Sequence, residues 1–268
     1  MTLPLKSAEV GWSFCIPTVN GSEWQLAETL NSIFSEFSNP AEFEVIVIGS
    51  CLIDKLQEQL DPELIKQIQF LPFKEKNFSF NWKHFRRAFR KGQFQDVLMR
   101  SGWITRKKNV LAQCAKFENI CLMHDYVSLK HGWRDGFRKY GFDWDVCVNT
   151  ILNKNQTRHR DWLVWDYPEI GAALLPYGVG HLSQFMYISG TYFCVKKNFF
   201  LNNPLDETLY WGESEDVEWS MRVRKLIHFR FNPYSEVCYV KDKPLNEAPY
   251  CDEWKARALL LNEKLGLA

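Results

Sequence analysis

Acidic residues crowd one short stretch, WGESEDVEWSMRVRK at 211–225, where a turn-forming Trp-Gly pair precedes a predicted helix. Glu215 and Asp216 lie at the predicted N-terminus of that helix. The helix dipole favours an ionised carboxylate there, and such a carboxylate, if it points into a cleft, suits a general base. A second interpretation needs no chemistry, since acidic residues are common in first turns and Glu218 with Arg222 has the spacing of an i,i+4 surface pair. This stretch alone leaves both interpretations open.

A second candidate for chemistry follows a predicted buried strand, NICLM at 119–123, which runs directly into His124-Asp125-Tyr126. An acidic residue at the end of a buried strand is poorly explained by packing, because burying an unpaired charge costs free energy. A carboxylate such as Asp125 is an oxygen ligand of the kind that Mg²⁺ and Mn²⁺ prefer. For His124 three roles stay open: a metal ligand, a ribose contact, or a packed histidine whose hydrogen bonds are satisfied.

The first half of the chain alternates strands and helices in a way that predicts a parallel sheet. GWSFCI at 11–16 is a short apolar run that ends at Pro17 and is followed by the turn residues of 18–21. FEVIVIGS at 43–50 has the β-branched run of a buried parallel strand, and 68–73 is a third candidate strand. Right-handed βαβ crossovers then place ligands at the carboxyl ends of the strands. The corresponding loops are 17–21, 49–53 and 72–77.

A basic helix start follows in GWITRKKNVLAQCA, where Thr105 is predicted to cap a helix that has Arg106, Lys107 and Lys108 near its start. A helix N-terminus with basic residues predicts an anion site. The preceding basic and aromatic run at 74–100 is interpreted as a surface that faces a phosphate or an acceptor. A nucleic-acid site is not expected there, because the whole chain carries a formal net charge of only +1.

The second half is predicted to hold a strand at 144–151 and then a long insert of weak periodicity at 152–186, of the sort that shapes binding sites. YISGTYFCV at 187–195 predicts a strand interrupted at Ser189-Gly190, where the missing side chain would let a ligand approach. HFRFNP and SEVCYVK predict a closing hairpin, and 252–264 a terminal helix.

Composition bounds the class of protein and its compartment. With 268 residues and 46% hydrophobic content, the chain can bury the core of one α/β domain. Its eight cysteines include no C-x-x-C pair, which predicts buried free thiols and disfavours a structural zinc site. The N-terminus MTLPLKSAEV lacks the features of a signal peptide, and no apolar run approaches the ~20 residues of a membrane span. We therefore expect a cytoplasmic location.

Taken in order, the loops CIPTVNG and VIGS, the basic helix start, LMHDY and the SG…WGESEDVEWSMR segment resemble a family 2-like glycosyltransferase with a GT-A fold over roughly residues 11–240. That family has a P-x-x-N loop, an R-x-N or K-x-N helix start, a D-x-D motif and an E-D pair before a helix that ends in Arg. The resemblance implies a single GT-A type domain over 1–268, an α/β Rossmann-like mixed sheet with helices on both faces. Its expected parts are a nucleotide-sugar-binding half (about 1–123), a metal and acceptor half (about 124–250) and a C-terminal helix (251–268).

The resemblance also implies roles for individual residues in an inverting transfer of a sugar from a nucleotide-sugar to an acceptor hydroxyl. Asp216 would be the base, with Glu215 beside it, and Asp125 would hold Mn²⁺ or Mg²⁺. The implied donor-binding residues are Pro17, Thr18, Asn20, Ser50, Lys108, Asn109, His124 and Asp125. The implied acceptor-binding residues are Gly190, Trp211, Glu215 and Arg222. The acceptor would be a glycan or a lipid-linked sugar, with peripheral membrane contact left open and no nucleic-acid partner.

Two positions depart from the family pattern. Tyr126 stands where the D-x-D motif usually has its final acid, so the need for a metal stays open. Gly49-Ser50 replaces the acid that often follows the second strand, which leaves base recognition unassigned. Two further functions therefore remain alternatives: a non-catalytic GT-A-like module that binds sugar or nucleotide, and a sugar-phosphate nucleotidyltransferase. The second is disfavoured because PTVNGSEW lacks the basic, Gly-rich character of that class.

Overall fold

The structure is a computed structural model that describes residues 11–19, 21–51, 53–74, 103–209, 212–241 and 252–267. Its strands are β1 (Trp12–Thr18), β2 (Phe43–Gly49), β3 (Ile68–Leu71), β4 (Asn119–Met123), β5 (Val127–Leu129), β6 (Val146–Leu152), β7 (Leu163–Tyr167), β8 (Gly171–Leu174), β9 (Met186–Tyr187), β10 (Tyr192–Lys196) and β11 (Arg230–Tyr239). Its α-helices are α1 (Glu23–Glu36), α2 (Ile53–Gln57), α3 (Pro62–Ile65), α4 (Ile104–Cys114), α5 (Trp133–Tyr140), α6 (Lys197–Asn202), α7 (Glu215–Val223) and α8 (Asp252–Lys264).

Within the described residues, eight strands form one mixed sheet in the order β3-β2-β1-β4-β10-β6-β11-β5. β1 to β4 pair in parallel, as the predicted βαβ crossovers require, whereas β10 runs antiparallel to both β4 and β6. The carboxyl ends of β1, β2, β4, β6 and β11 and the amino end of β10 therefore meet along one side, here called the carboxyl edge. This edge carries the candidate site.

Two hydrophobic clusters cover the two faces of this sheet, which confirms the predicted arrangement of helices on both faces. Successive side chains of β1 point to opposite faces of the sheet, so Phe14 and Ile16 belong to one cluster and Cys15 to the other. The first cluster includes apolar residues of α1, α2, α3 and α5. The second includes residues of α4, α6, α7 and α8. All cysteines of the described residues are free thiols.

The predicted closing hairpin is wrong, since Arg230–Tyr239 forms the single strand β11. β11 pairs in parallel with β6 on both sides of an irregularity between Asn232 and Glu236. Pro233 lies inside this irregularity, where the lack of a backbone N–H is tolerated. The turn residues that suggested a hairpin therefore mark a bulge, and the chain continues in the same direction to the carboxyl edge.

The predicted helix cap at Thr105 is also wrong. Thr105 lies inside α4, whose N-cap is Trp103, and its hydroxyl donates a 2.6 Å hydrogen bond to the Leu209 carbonyl. At the start of α1, Ser22 makes no side-chain capping bond, and Glu23 accepts hydrogen bonds from the Gly21 N–H. In both places the side chain serves a tertiary or loop contact that local sequence patterns do not reveal.

The insert after β6 has regular structure of its own. β7 pairs with β8 and β9 in a three-stranded antiparallel sheet, which lies against α8 and α7. The interruption predicted at Ser189-Gly190 separates β9 from β10, so the chain passes from the small sheet to the large one at this point. No helix among the described residues has both the length and the apolar character needed to cross a bilayer.

Candidate functional site

The acidic turn at the start of α7 is shaped by two residues with left-handed backbone, Gly212 (φ 79°) and Ser214 (φ 64°). Asp216 lies in the first helical turn, and its Oδ1 accepts a 2.9 Å hydrogen bond from the Val217 N–H. Its Oδ2 accepts a 2.8 Å hydrogen bond from the Gly190 N–H. Backbone donors therefore fix a half-buried carboxylate at a helix N-terminus, where the dipole favours its charged form.

Gly190 is the residue against which this carboxylate packs. A methyl group added there would lie 3.0 Å from the Asp216 Cβ and 3.1 Å from its Oδ2. The Gly190 carbonyl also accepts a 2.5 Å hydrogen bond from the Lys108 ammonium. The absent side chain thus admits Asp216 itself, and both backbone polar groups of the glycine are used to place charged side chains.

Lys108 and Glu215 bring opposite charges into the interior beside Asp216, at 1% and 6% exposure. Burial lowers the pKa of Lys108, and the charges of Glu215 and Asp216 oppose that shift. Burial raises the pKa of Glu215, the Lys108 charge lowers it, and the Asp216 charge raises it further. The Lys108 ammonium therefore lies close enough to both acids to offset part of their negative charge.

The Gly190-Thr191 turn connects the acidic group to the strand-end motif. Gly190 donates to Asp216, while the Thr191 carbonyl accepts a 2.9 Å hydrogen bond from the His124 N–H. The His124 Nδ1 lies 3.1 Å from the Tyr126 hydroxyl, at hydrogen-bond distance. The turn therefore brings together, at the carboxyl edge, two stretches that are far apart in the sequence.

Asp125 is buried and holds the loop that follows β1. The Thr18 hydroxyl donates a 2.8 Å hydrogen bond to its Oδ2. Burial raises the pKa of Asp125, whereas hydrogen bonds from the Thr18 and Ser22 hydroxyls and the Val19 backbone, with the charge of Lys241, lower it. The carboxylate is thus engaged by three donors of the loop that the sequence assigns to donor binding.

The surroundings of Asp125 do not fit a divalent metal ion. Mg²⁺ and Mn²⁺ are held by several oxygen ligands. Among the described residues, no group of three His, Cys, Asp or Glu side chains could hold a metal ion. Tyr126 replaces the second carboxylate of the motif, and the Lys241 ammonium lies 3.9 Å from the centroid of its ring. The donor set near Asp125 therefore offers one engaged carboxylate beside a cation.

Sequence reasoning missed a row of side chains between Asp216 and the strand-end motif. Tyr187 is buried; burial and the Asp216 charge raise its pKa, while the charge of Arg160 and a hydrogen bond to it oppose this rise. Burial also raises the pKa of Tyr239, against a smaller effect of the Arg160 charge, and the Tyr239 ring centroid lies 5.5 Å from that of Tyr126. Arg160 comes from the insert that was predicted to shape a site, but nothing in its local pattern distinguishes it.

Three other predicted donor residues are placed as follows. Pro17 is buried within β1, next to Thr18 at the carboxyl edge, and Ser50 is exposed immediately after β2. Asn109 bonds with the backbone of Leu205, donating at 2.9 Å to its carbonyl and accepting at 3.0 Å from its N–H. The Asn109 side chain therefore fixes the loop before α7, and its donor role stays a prediction.

Arg222 lies in the last turn of α7 and pairs with Glu218, its Nε donating at 2.9 Å to Oε1. It also donates a 2.7 Å hydrogen bond to the Pro204 carbonyl. The i,i+4 surface pair that Glu218 and Arg222 were expected to form is thus present. Asp216 takes no part in it, because its carboxylate bonds to Gly190. The predicted contacts of Asn20 and Trp211 lie outside the described residues.

Comparison with solved structures identifies the fold. No protein-family model matches the sequence, and neither does any curated protein. The structure is similar to residues 1–349 of S. aureus TarS, with a TM-score of 0.52 and 14% identity over 97% of this chain and 73% of that chain. It is also similar to GalNAc-T7, crystallised with UDP, GalNAc and Mn²⁺, with a TM-score of 0.59 and 15% identity.

The match to GalNAc-T7 covers 96% of this chain and 48% of that protein, so the chain spans about half of its length. Both neighbours are of the GT-A type, and the likeness shows that this chain has the GT-A fold of glycosyltransferases. The predicted fold class is confirmed, and membership of family 2 stays a prediction.

Proposed function

We propose that the chain is a glycosyltransferase that moves a sugar from a nucleotide-sugar donor to an acceptor hydroxyl. One observation carries the proposal: the Gly190-Thr191 turn is hydrogen-bonded to Asp216 on one side and to His124 on the other. On a GT-A fold this connection supports a role for Asp216 as a carboxylate base on the same turn as the strand-end motif, whose Asp125 holds Thr18. The chain then divides into a donor half at about 1–123 and an acceptor half at about 124–250.

Asp216 is the general base of this proposal. Its carboxylate takes the proton of the acceptor hydroxyl while the acceptor oxygen bonds to the anomeric carbon of the donor sugar. The bond between that carbon and the diphosphate breaks, and the electron pair leaves on the diphosphate oxygen. A single displacement of this kind inverts the anomeric centre. Helix α7 and the Gly190 N–H keep the carboxylate oriented, and Lys108 balances part of the negative charge of the acidic turn.

The remaining residues bind and orient the substrates. Thr18 ends β1 and Ser50 directly follows β2, at the edge where an α/β sheet binds a nucleotide. Glu215 and Gly190 face the acceptor side, and a glycan or lipid-linked acceptor is the proposed partner. A divalent metal, if bound, would stabilise the leaving diphosphate, but the described residues near Asp125 do not assemble a site for it.

A donor screen tests the proposal. Thermal melting of the chain is measured with UDP, GDP, CDP, ADP and dTDP, with Mn²⁺ and with EDTA, because a ligand of the native state raises the melting temperature. We expect one nucleoside diphosphate to stabilise the protein. The matching nucleotide-sugars are then incubated with glycan and lipid-linked acceptors, and the anomeric configuration of the product is read by NMR, with inversion expected.

A sugar- or nucleotide-binding module without catalysis is the second candidate, and the replacement of an acid by Tyr126 favours it. The same experiments separate the two functions. Nucleotide binding without transfer or donor hydrolysis, under every metal condition, supports the binding module. If the chain neither binds nor turns over any nucleotide-sugar, both functions are wrong.

A further inference from the structure

The donor end of the carboxyl edge holds a protein cation where the D-x-D motif would hold a metal. The Lys241 ammonium lies 3.9 Å from the centroid of the Tyr126 ring, at the position of the missing final acid. An aromatic ring face attracts an ammonium group, so Tyr126 provides a favourable place for this cation. Burial raises the pKa of Asp125, and the Lys241 charge is among the effects that oppose this rise, in agreement with the position of its ammonium over Tyr126.

A divalent cation would meet unfavourable surroundings at this point. The Asp125 carboxylate already accepts hydrogen bonds from Thr18, Ser22 and Val19. A metal ion would have to displace these donors and also approach the Lys241 ammonium, which repels it. The one carboxylate here is therefore already bonded and has a protein cation near it, and the described residues supply no group of side chains that could hold a metal ion.

A second cation lies on the same side of the edge. Arg160 hydrogen-bonds to Tyr187, and its charge acts on the pKa of Tyr239. The centroid of the Tyr239 ring lies 5.5 Å from that of the Tyr126 ring. Its guanidinium carbon lies 5.7 Å from the centroid of the Trp254 ring. A guanidinium binds phosphate oxygens through paired N–H groups, and it keeps its charge at any physiological pH. Lys241 and Arg160 thus both lie beside the pair of rings formed by Tyr126 and Tyr239.

We propose, on the basis of the glycosyltransferase function above, that Lys241 and Arg160 neutralise the donor diphosphate in place of a divalent metal ion. As the bond between the anomeric carbon and the diphosphate breaks, the electron pair goes to the terminal phosphate oxygen, and these two cations stabilise the charge that develops there. The proton of the acceptor goes to Asp216 in the same step. The sugar is bound to the acceptor oxygen at the end, and no metal ion takes part.

Binding measurements test this without relying on activity. Calorimetry of the metal-stripped chain with UDP, GDP, CDP, ADP and dTDP, and with the corresponding nucleosides, is expected to show diphosphate binding in EDTA that Mn²⁺ does not strengthen. Lys241→Met and Arg160→Met are each expected to weaken the diphosphate by about tenfold or more and to leave the nucleoside unaffected. Lys241→Arg retains the charge and should keep most of the affinity.

Lys139 provides a matched control, because its ammonium also lies 3.9 Å from a ring centroid, that of Tyr234. Lys139→Met removes the same kind of contact from an exposed helix position away from the edge and should bind the diphosphate like the wild type. Melting curves of all variants confirm that they are folded.

The outcomes separate this inference from the function on which it rests. Diphosphate binding or sugar transfer that requires Mn²⁺ or Mg²⁺ overturns the inference and leaves the glycosyltransferase intact. Wild-type diphosphate affinity in both Lys241→Met and Arg160→Met also overturns it. If no nucleotide binds and no donor turns over in any condition, the glycosyltransferase proposal itself is wrong.

Discussion

Asp216 and Asp125 are both carboxylates at the carboxyl edge of the same sheet, but their surroundings differ. Asp216 is half-buried, accepts hydrogen bonds from two backbone N–H groups, and lies next to Lys108 and Glu215. Asp125 is buried, and it accepts hydrogen bonds from two hydroxyls and one backbone N–H of a single loop. The carboxylate after β4 is thus bonded within its own loop, whereas the carboxylate at the start of α7 is oriented by backbone groups beside two charged side chains.

Asp216→Asn gives the largest expected effect on chemistry. Asparagine keeps the shape and can still accept the hydrogen bond from Gly190, but it cannot take a proton. We expect sugar transfer to fall by about 10²–10⁴-fold, with donor binding and melting temperature close to those of the wild type. Steady-state kinetics and calorimetry measure both.

Glu218→Gln is the matched control, since Glu218 lies in the same helical turn and pairs with Arg222. It should keep wild-type turnover. Full activity of Asp216→Asn would contradict the role of base and would make the two carboxylates of the comparison alike.

Gly190→Ala tests whether the close approach of Asp216 matters. The added methyl group would lie 3.0 Å from the Asp216 Cβ, so the carboxylate or the turn has to shift. A displacement of about 1 Å at a reacting group can lower the rate about 10²-fold, and we expect a loss of that order in kcat. Gly178→Ala is the control, because no atom lies within 4 Å of its added methyl group. Equal rates in the two variants would show that the contact has no catalytic consequence.

Asp125→Ala is expected to affect stability before chemistry. It leaves the Thr18 and Ser22 hydroxyls and the Val19 N–H without their acceptor, which costs about 1–3 kcal/mol in the free energy of unfolding. Urea denaturation measures this loss. A double-mutant cycle with Thr18→Val should show coupling, because the two side chains share a 2.8 Å hydrogen bond. Additive losses would mean that Asp125 does not hold the loop.

The sequence predicted the features that local pattern controls. The terminal helix at 252–264 and the break between β9 and β10 are found where they were expected, and the strand predicted over 43–50 is β2 (Phe43–Gly49). The resemblance also gave the GT-A fold, which the solved structures support. Each of these depends on periodicity, on turn residues, or on motifs in a fixed order.

Contacts between distant residues could not be predicted in the same way. Lys241 lies over Tyr126 and Lys108 donates to Gly190 only because the sheet order brings those segments together. The single strand β11 was mistaken for a hairpin, since a bulge and a turn use the same residue types. Short-range pattern contains no information on which of two buried lysines, Lys107 or Lys108, faces the acidic turn.

Lys108→Met is expected to have the smallest effect on activity, and this effect should appear as a change in its pH dependence. Burial raises the pKa of Glu215 and the Lys108 charge opposes this rise, so removal of Lys108 lets Glu215 hold its proton to a higher pH. The acid limb of the activity profile should therefore move to higher pH, with activity recovering above it. Lys108→Arg keeps the charge and should keep the limb near its wild-type position.

Lys107→Met serves as the control for this shift, because Lys107 is equally buried but its ammonium donates to the Thr18 carbonyl at 3.3 Å. We expect Lys107→Met to leave the acid limb in place, because Lys107 is not among the charges that act on Glu215. A purely structural role of Lys108 would instead lower the rate by the same factor at every pH.

The pH profile of activity also distinguishes Asp216 from Asp125. The Lys241 charge acts on the pKa of Asp125, but in the proposed mechanism Asp125 takes no proton from the acceptor. Lys241→Met should therefore leave the acid limb of the profile in place.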